Sequence, residues 1–356
     1  GRGEGVHVAV PGGATGTIEV SLIGVDVVGN GGHGVLVNDQ LDPSTQDGVQ
    51  PADGGSAASV RVSVVDSKFV HNGYTVSDRD GLRVNEGGAG DLTLTVTRVI
   101  ADDNAADGIE IDERGAGDVH IDVSGAILSR NGKFDPANLD DGFDIDEYNE
   151  GGIFGRVVLS TASNNYEEGF DFNENNPGDL RVDMTLVSAI RNGEEGIDLE
   201  EDDDFGSGGD LVTVMRGITT MGNGDAADGA LKIREKEDGN LDVTLTSVLS
   251  TKNIGSGIFV RESSTGSSIV RIDRAISTHN TAGLLDPFSK GHGIELLESG
   301  GGDLTATVTS SAVLSNAGNG IFGDETGAGA GTVTLTNVSN AQNTLGPTGG
   351  TATFLP

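Results

Sequence analysis

The sequence has no cysteine and no tryptophan, only 3 methionines, and aromatic residues fill just 4% of its 356 positions. Without thiols there are no disulfides, no thiolate nucleophiles and no thiolate metal ligands, which is compatible with an extracellular chain stabilised by other means. Cations are scarce too: 21 Lys and Arg stand against 56 Asp and Glu, a formal net charge of −35. Nucleic acid and anionic membranes are therefore excluded as partners, since each phosphate would meet a repulsive field. Cations and basic surfaces are the natural partners. No apolar run reaches the length of a membrane span. No stretch carries a helical period either, so the fold has to be built from strands. The chain begins at Gly1 without Met or a signal-like segment, as expected of a processed form or an excised piece of an exported protein.

What the chain does have is glycine, 58 residues of it, placed with a period. The stretch DGIEIDERGAGDVHIDVSGAILSRN, Asp107 to Asn131, recurs as DGLRVNEGGAGDLTLTVTRVIADDN from Asp80, EGFDFNENNPGDLRVDMTLVSAIRN from Glu168 and HGIELLESGGGDLTATVTSSAVLSN from His292. After Gly108, Ile109 and Ile111 alternate with Glu110 and Asp112, the period of a half-buried strand. The Arg114 to Gly117 segment breaks the alternation, a second strand follows with Val119, Ile121 and Val123 inward, and a third short apolar stretch ends at Asn131.

The opening glycine falls at Gly34, Gly81, Gly108, Gly142, Gly169, Gly196, Gly257, Gly293 and Gly320, with Ala230 in its place once. Several neighbours differ by 27 positions (108−81, 169−142, 196−169, 320−293). A unit of this kind cannot bury its apolar face alone, and stacking units about 4.8 Å apart makes a continuous core. The expectation is an all-β solenoid of about eleven rungs of roughly 27 residues. Residues 1–32 would form an N-terminal cap and first rung, 33–345 the regular rungs, and 346–356 a tail that loses the pattern. Insertions fall almost entirely between the closing Asn and the next opening Gly, and a further polar loop is expected from Gln40 to Ala58.

The Asn-x-x-x-Gly-Ile-x-Ile pattern, as in Asn104 to Ile111, and the rung length resemble the right-handed parallel β-helix repeats of the pectate-lyase-like superfold. The resemblance covers nearly the whole chain and implies a single-stranded right-handed parallel β-helix. It implies much less about activity, because that superfold hosts lyases, hydrolases, adhesins and plain surface proteins.

Stacking turns equivalent positions into columns. One holds an asparagine in every rung, including Asn104, Asn131, Asn165, Asn192, Asn223, Asn253, Asn280 and Asn316. With two donors and an acceptor, each side chain can serve the bend and its neighbours, and Asn tolerates a left-handed bend conformation. A second column is acidic, Glu113, Glu147, Glu174 and Glu201 among its members, each placed to cap the N–H groups of the Gly-rich bend that follows, or to bind cations in stacked pairs.

A third column is local. On the outward face of the opening strand, four consecutive rungs offer Glu110 and Asp112, Asp144 and Asp146, Asp171 and Asn173, Asp198 and Glu200. Like charges at the rung spacing repel by roughly 1 kcal/mol per pair in water and by more when desolvated. Bound Ca2+ would offset this, as would an acidic or saline habitat; alternatively, close carboxylates raise one pKa and supply the acid/base pair of glycoside hydrolysis. Beyond the stripe the outward positions become basic and aromatic: Lys232, Arg234, Arg261, Phe259 and Phe322.

The reading that follows is a secreted or cell-surface, non-catalytic module. It binds Ca2+ or other cations through Glu110, Asp112, Asp144, Asp146, Asp171, Asp198 and Glu200, with Glu113, Glu147, Glu174 and Glu201 as further candidates, and recognises a glycan or cell-surface partner. The alternative is a polysaccharide hydrolase or lyase using Asp144, Asp171 and Asp198, for which the want of aromatic platforms and of a Lys or Arg within the stripe is unfavourable. The solenoid ends, with open edges and apolar surface, are candidate sites of self-association.

Overall fold

The computed structural model describes residues 3–39, 54–75, 78–135, 139–202, 208–224, 229–283 and 290–356. Among them there is no helix; the strands form three parallel sheets, of 12, 12 and 11 members, and each pairs with the strand at the same place in the next rung. This is a parallel β-helix. The expected loop from Gln40 lies mostly outside the described residues, and by Ala57 the chain has entered the strand Ala57–Val65.

The rung from Gly108 shows how the sequence makes one turn. Ile109–Glu113 lies in the first sheet, Val119–Ser124 in the second and Ile127–Ser129 in the third. Ile109, Ile111, Val119, Val123 and Leu128 are fully buried, and their equivalents above and below join them in one uninterrupted core. Removing such side chains from water at about 25 cal/mol per Å² is what holds the rungs together, since no rung has a core of its own. Phe143, Phe170 and Phe172 pack together within the core, with Phe172 edge-on to each of the other two at centroid distances of 5.2 and 6.4 Å.

The opening glycine is required by close approach. A Cβ on Gly142 would lie 2.5 Å from the Gly169 carbonyl oxygen and 2.6 Å from Asn165 Nδ2. The corners on either side of the third sheet use left-handed residues in columns, Asp66, Arg98, Leu159 and Leu186 at one and His71, Asp103, Arg130 and Arg191 at the other. In this respect the expectation for the ladder asparagines needs correcting. The left-handed residue is the one before each Asn, and none of the ladder asparagines has a positive φ.

Their role is carried by the side chain instead. Asn131 Oδ1 accepts from both the N–H and the Nδ2–H of Asn104, at 3.1 and 3.0 Å, and Asn131 passes the same two donors to Asn165, at 3.2 and 3.0 Å. The pattern continues through Asn192, Asn223, Asn253, Asn280 and Asn316 as far as Asn343. The segment after residue 345, where the repeat fades, adds one more strand to the first sheet, Gly346–Gly349, and one to the second, Thr353–Leu355.

Candidate functional site

In the first sheet the register stacks Arg83, Glu110, Asp144, Asp171, Asp198 and Lys232 in a single outward column. Four carboxylates are thus bracketed by a cation at each end. The neighbouring outward column runs Asn85, Asp112, Asp146, Asn173, Glu200 and Arg234. Outward does not mean solvated here: Glu110, Asp112, Asp198 and Glu200 are 1, 0, 3 and 7% exposed. Bend residues fold back over the strands from one side, Arg114 reaching Asp112 at 3.1 Å, Tyr148 donating to Asp146 at 2.7 Å and Asn175 at 3.3 Å.

The two ends of the column are neutralised. Arg83 contacts Asp78, Glu110 and Asp112 at 2.8, 2.7 and 2.5 Å and Asp80 at 3.7 Å. Lys232 lies 2.5 Å from Asp198 and 3.5 Å from Glu200, which also pairs with Arg234 and Lys236. Burial opposes the charge on Glu200, yet Lys232, Arg234 and Lys236 together hold its carboxyl below the ordinary range. Asp198 stays above its ordinary value, because burial outweighs Lys232.

The middle is different. No cation pairs with Asp144 or Asp171 among the described residues, and Oδ1 of each is buried with no hydrogen-bond donor. Burial, followed by repulsion from Asp146, Asp107, Asp171 and Asp141, pushes Asp144 well above the usual carboxylate range. Burial and then Asp198 and Asp141 do the same to Asp171, against a weaker pull from Asn173 and Lys232. Both shifts have the same cause, two buried carboxylates with too little positive charge beside them.

A further acidic column completes the site. The residue before the opening glycine is Asp80, Asp107, Asp141, Glu168 and Glu195 in successive rungs, each at most 8% exposed. Asp80 Oδ1 accepts the N–H of Asp107 at 3.1 Å, Asp107 that of Asp141, and Asp141 that of Glu168, each of the latter at 2.5 Å. These carboxylates converge on the outward column in overlapping triads: Asp78, Asp80 and Glu110; Asp107, Glu110 and Asp144; and Asp141, Asp144 and Asp171. Within each triad one oxygen per residue lies within 4.8 Å of the others. Two more triads, Asp141 with Glu167 and Glu168, and Glu168 with Glu194 and Glu195, extend the run along the corner.

Of the residues singled out from the sequence, Glu110, Asp144 and Asp171 thus come together. Asp112, Asp146, Asp198 and Glu200 are engaged by neighbouring side chains instead. Glu113, Glu147, Glu174 and Glu201 are fully buried at the bend, on the core side of the strand. The column of Asp80, Asp107, Asp141 and Glu168 was missed, although its signal was present: an acidic residue before the opening glycine, rung after rung. The donor set of the middle triads is all carboxylate oxygen, which suits a hard cation such as Ca2+ and not a soft or borderline metal.

No family model and no curated protein matches the sequence. Among solved structures, the crystal structure of pectate lyase Pel9A is similar with a TM-score of 0.36 and 12% identity, over 95% of this chain and 77% of that one. A likeness of that degree carries no argument, and the fold assignment rests on the strand pairing. No helix among the described residues is long and apolar enough to cross a membrane.

Proposed function

We propose that the protein is an exported, acidic β-helix module that binds Ca2+ along the first sheet, centred on Asp107, Asp141, Asp144 and Asp171. The observation that carries this reading is the pair of carboxylates in the middle of the column, Asp144 and Asp171, left without a cation while both ends of the column have one. A bound Ca2+ supplies the missing charge and ties adjacent rungs together. It takes 6–8 oxygens, so carboxylates that bind through both oxygens, with waters, meet its demand. In this reading the module presents a glycan or a cell-surface partner with a calcium-loaded face.

The competing reading is a polysaccharide hydrolase. Its support is the raised pKa of Asp144 and Asp171, which keeps a proton available on one of two adjacent acids. Against it, the third carboxylate of that reading, Asp198, is held by Lys232 at 2.5 Å.

Calorimetric titration of the chelator-treated protein with Ca2+, with thermal unfolding alongside, tests the proposal. Binding heat and a rise in Tm are expected in the native chain, about 2.7 kcal/mol of stabilisation at a hundredfold excess over Kd, and both should vanish in Asp144→Asn/Asp171→Asn. No heat and no shift in Tm, together with cleavage of an acidic polysaccharide in EDTA, would overturn it in favour of the enzyme.

A further inference from the structure

The glutamates at the end of each first-sheet strand form a second carboxylate system, apart from the acidic triads of the outward face. Glu86, Glu113, Glu147, Glu235 and Glu262 have no exposed surface, and Glu298 only 1%. One oxygen of each capping residue accepts a backbone N–H of the bend: Gly88 to Glu86 at 3.0 Å, Gly115 to Glu113 at 2.9 Å, Glu237 to Glu235 and Ser264 to Glu262 at 2.7 Å, and Gly300 to Glu298 at 2.9 Å. The bends are packed onto them. A Cβ on Gly115 or Gly151 would come within 3.0 or 2.9 Å of the carboxyl oxygen of Glu113 or Glu147.

The remaining oxygen is the informative one. In Glu86, Glu113, Glu235, Glu262 and Glu298 it is buried and receives no hydrogen from any N–H or O–H donor among the described residues. What it does meet is the next glutamate. The register stacks Glu86, Glu113, Glu147, Glu174, Glu201, Glu235, Glu262, Glu298 and Glu325 as direct partners in successive strands. Two carboxylates in such contact have four acceptor oxygens and no donor, and an uncompensated buried carboxylate is very costly. A proton between them turns the repulsion into a hydrogen bond.

We propose that this column, from Glu86 to Glu325, is a proton-sharing ladder whose protons are held at neutral pH and whose loss loosens the bend between the first and second sheets. The electrostatics of the column agree. Burial first, then the neighbouring glutamate, raises Glu86 and Glu235 to about 10, and burial raises Glu113 and Glu325 to about 7. The groups facing Glu235 and Glu262 are each other, Glu201, Glu298 and the bend N–H groups. Lys236, on the same bend, is engaged by Glu200 and Asp202, and Arg261 points to the opposite side of its strand.

The direction of the pH effect follows. The native pKa values lie above those of the unfolded chain, so between the two the folded state binds more protons. Stability then falls as pH rises out of the ordinary glutamate range, and stops falling above about 10, where the highest groups have titrated. The protein also carries less negative charge at neutral pH than its formal −35.

Two measurements test this, both in Ca2+-loaded protein so that the outward face does not contribute. Infrared spectra in D2O are expected to contain the C=O stretch of protonated carboxylic acid at neutral pH, weakened in Glu235→Gln/Glu262→Gln. That variant, whose amides both donate and accept, should melt at the same temperature as the native chain near pH 5 and higher than it near pH 9. Absence of the band at neutral pH in the native chain overturns the proposal whatever the variant does. So does a variant that melts below the native chain at both pH values, since a ladder of ions would then be the better account.

Discussion

Asn165→Ala isolates what one step of the asparagine ladder contributes. Asn165 is 3% exposed, and its Oδ1 accepts the N–H of Asn131 at 3.2 Å and its Nδ2–H at 3.0 Å. Its own Nδ2 donates to Asn192 Oδ1 at 3.0 Å and to the Leu128 carbonyl at 3.4 Å. Truncation therefore strands two buried donors on Asn131, each worth about 1–3 kcal/mol when left unpaired, so a loss of about 3–4 kcal/mol is expected. Asn343 makes the same contacts to Asn316 at 2.9 and 3.0 Å but is only half-buried. Water can replace its oxygen, and Asn343→Ala should cost about 1 kcal/mol or less. A solenoid this long does not unfold in one step, so the assay is amide hydrogen exchange resolved by residue, with guanidinium unfolding as the global check. Protection should collapse at Asn131 and its neighbouring rungs and survive near the ends. If Asn165→Ala lies within about 0.5 kcal/mol of the native chain, or matches Asn343→Ala, the ladder is ornament and the reasoning fails.

Arg83→Met leaves Asp80 and Glu110 buried without their guanidinium, while Asp112 keeps Arg114, and a loss of about 3–5 kcal/mol at neutral pH is expected. Burial opposes the charge on Asp80, but His33 and then Arg83 hold its pKa down, so lowering the pH through the carboxylate range should restore part of the loss as Asp80 takes up a proton. Thermal unfolding at several pH values reads this out, and an equal loss at low and neutral pH would refute it. Leu159→Gly should instead stabilise by about 0.5–1 kcal/mol. Leu159 adopts φ 54° at a corner and is 59% exposed, so the backbone strain removed exceeds the packing lost. A lower guanidinium midpoint in that variant would contradict the account of the corner.

Much of this was legible in the residues themselves. The repeat of opening glycine, alternating strand and closing asparagine determined the parallel stacking, because only in-register rungs bury Ile109, Ile111 and Val119 against their equivalents. The same repeat located the asparagine column and the acidic stripe from Glu110 to Glu200. Three-dimensional packing decided what a linear pattern does not encode. Burial of the outward stripe depends on Arg114, Tyr148 and Asn175 folding back from the next bend. Which carboxylates are already neutralised depends on side-chain reach, and Arg83 and Lys232 each span to the adjacent rung and deal with the ends of the column. The convergence of Asp107 and Asp141 on Asp144 joins residues on either side of a strand's start, and that is set by the angle at which the corner turns. A sequence states which residues share a column. Only the folded coil decides which columns face each other, because that depends on how sharply the chain bends between sheets.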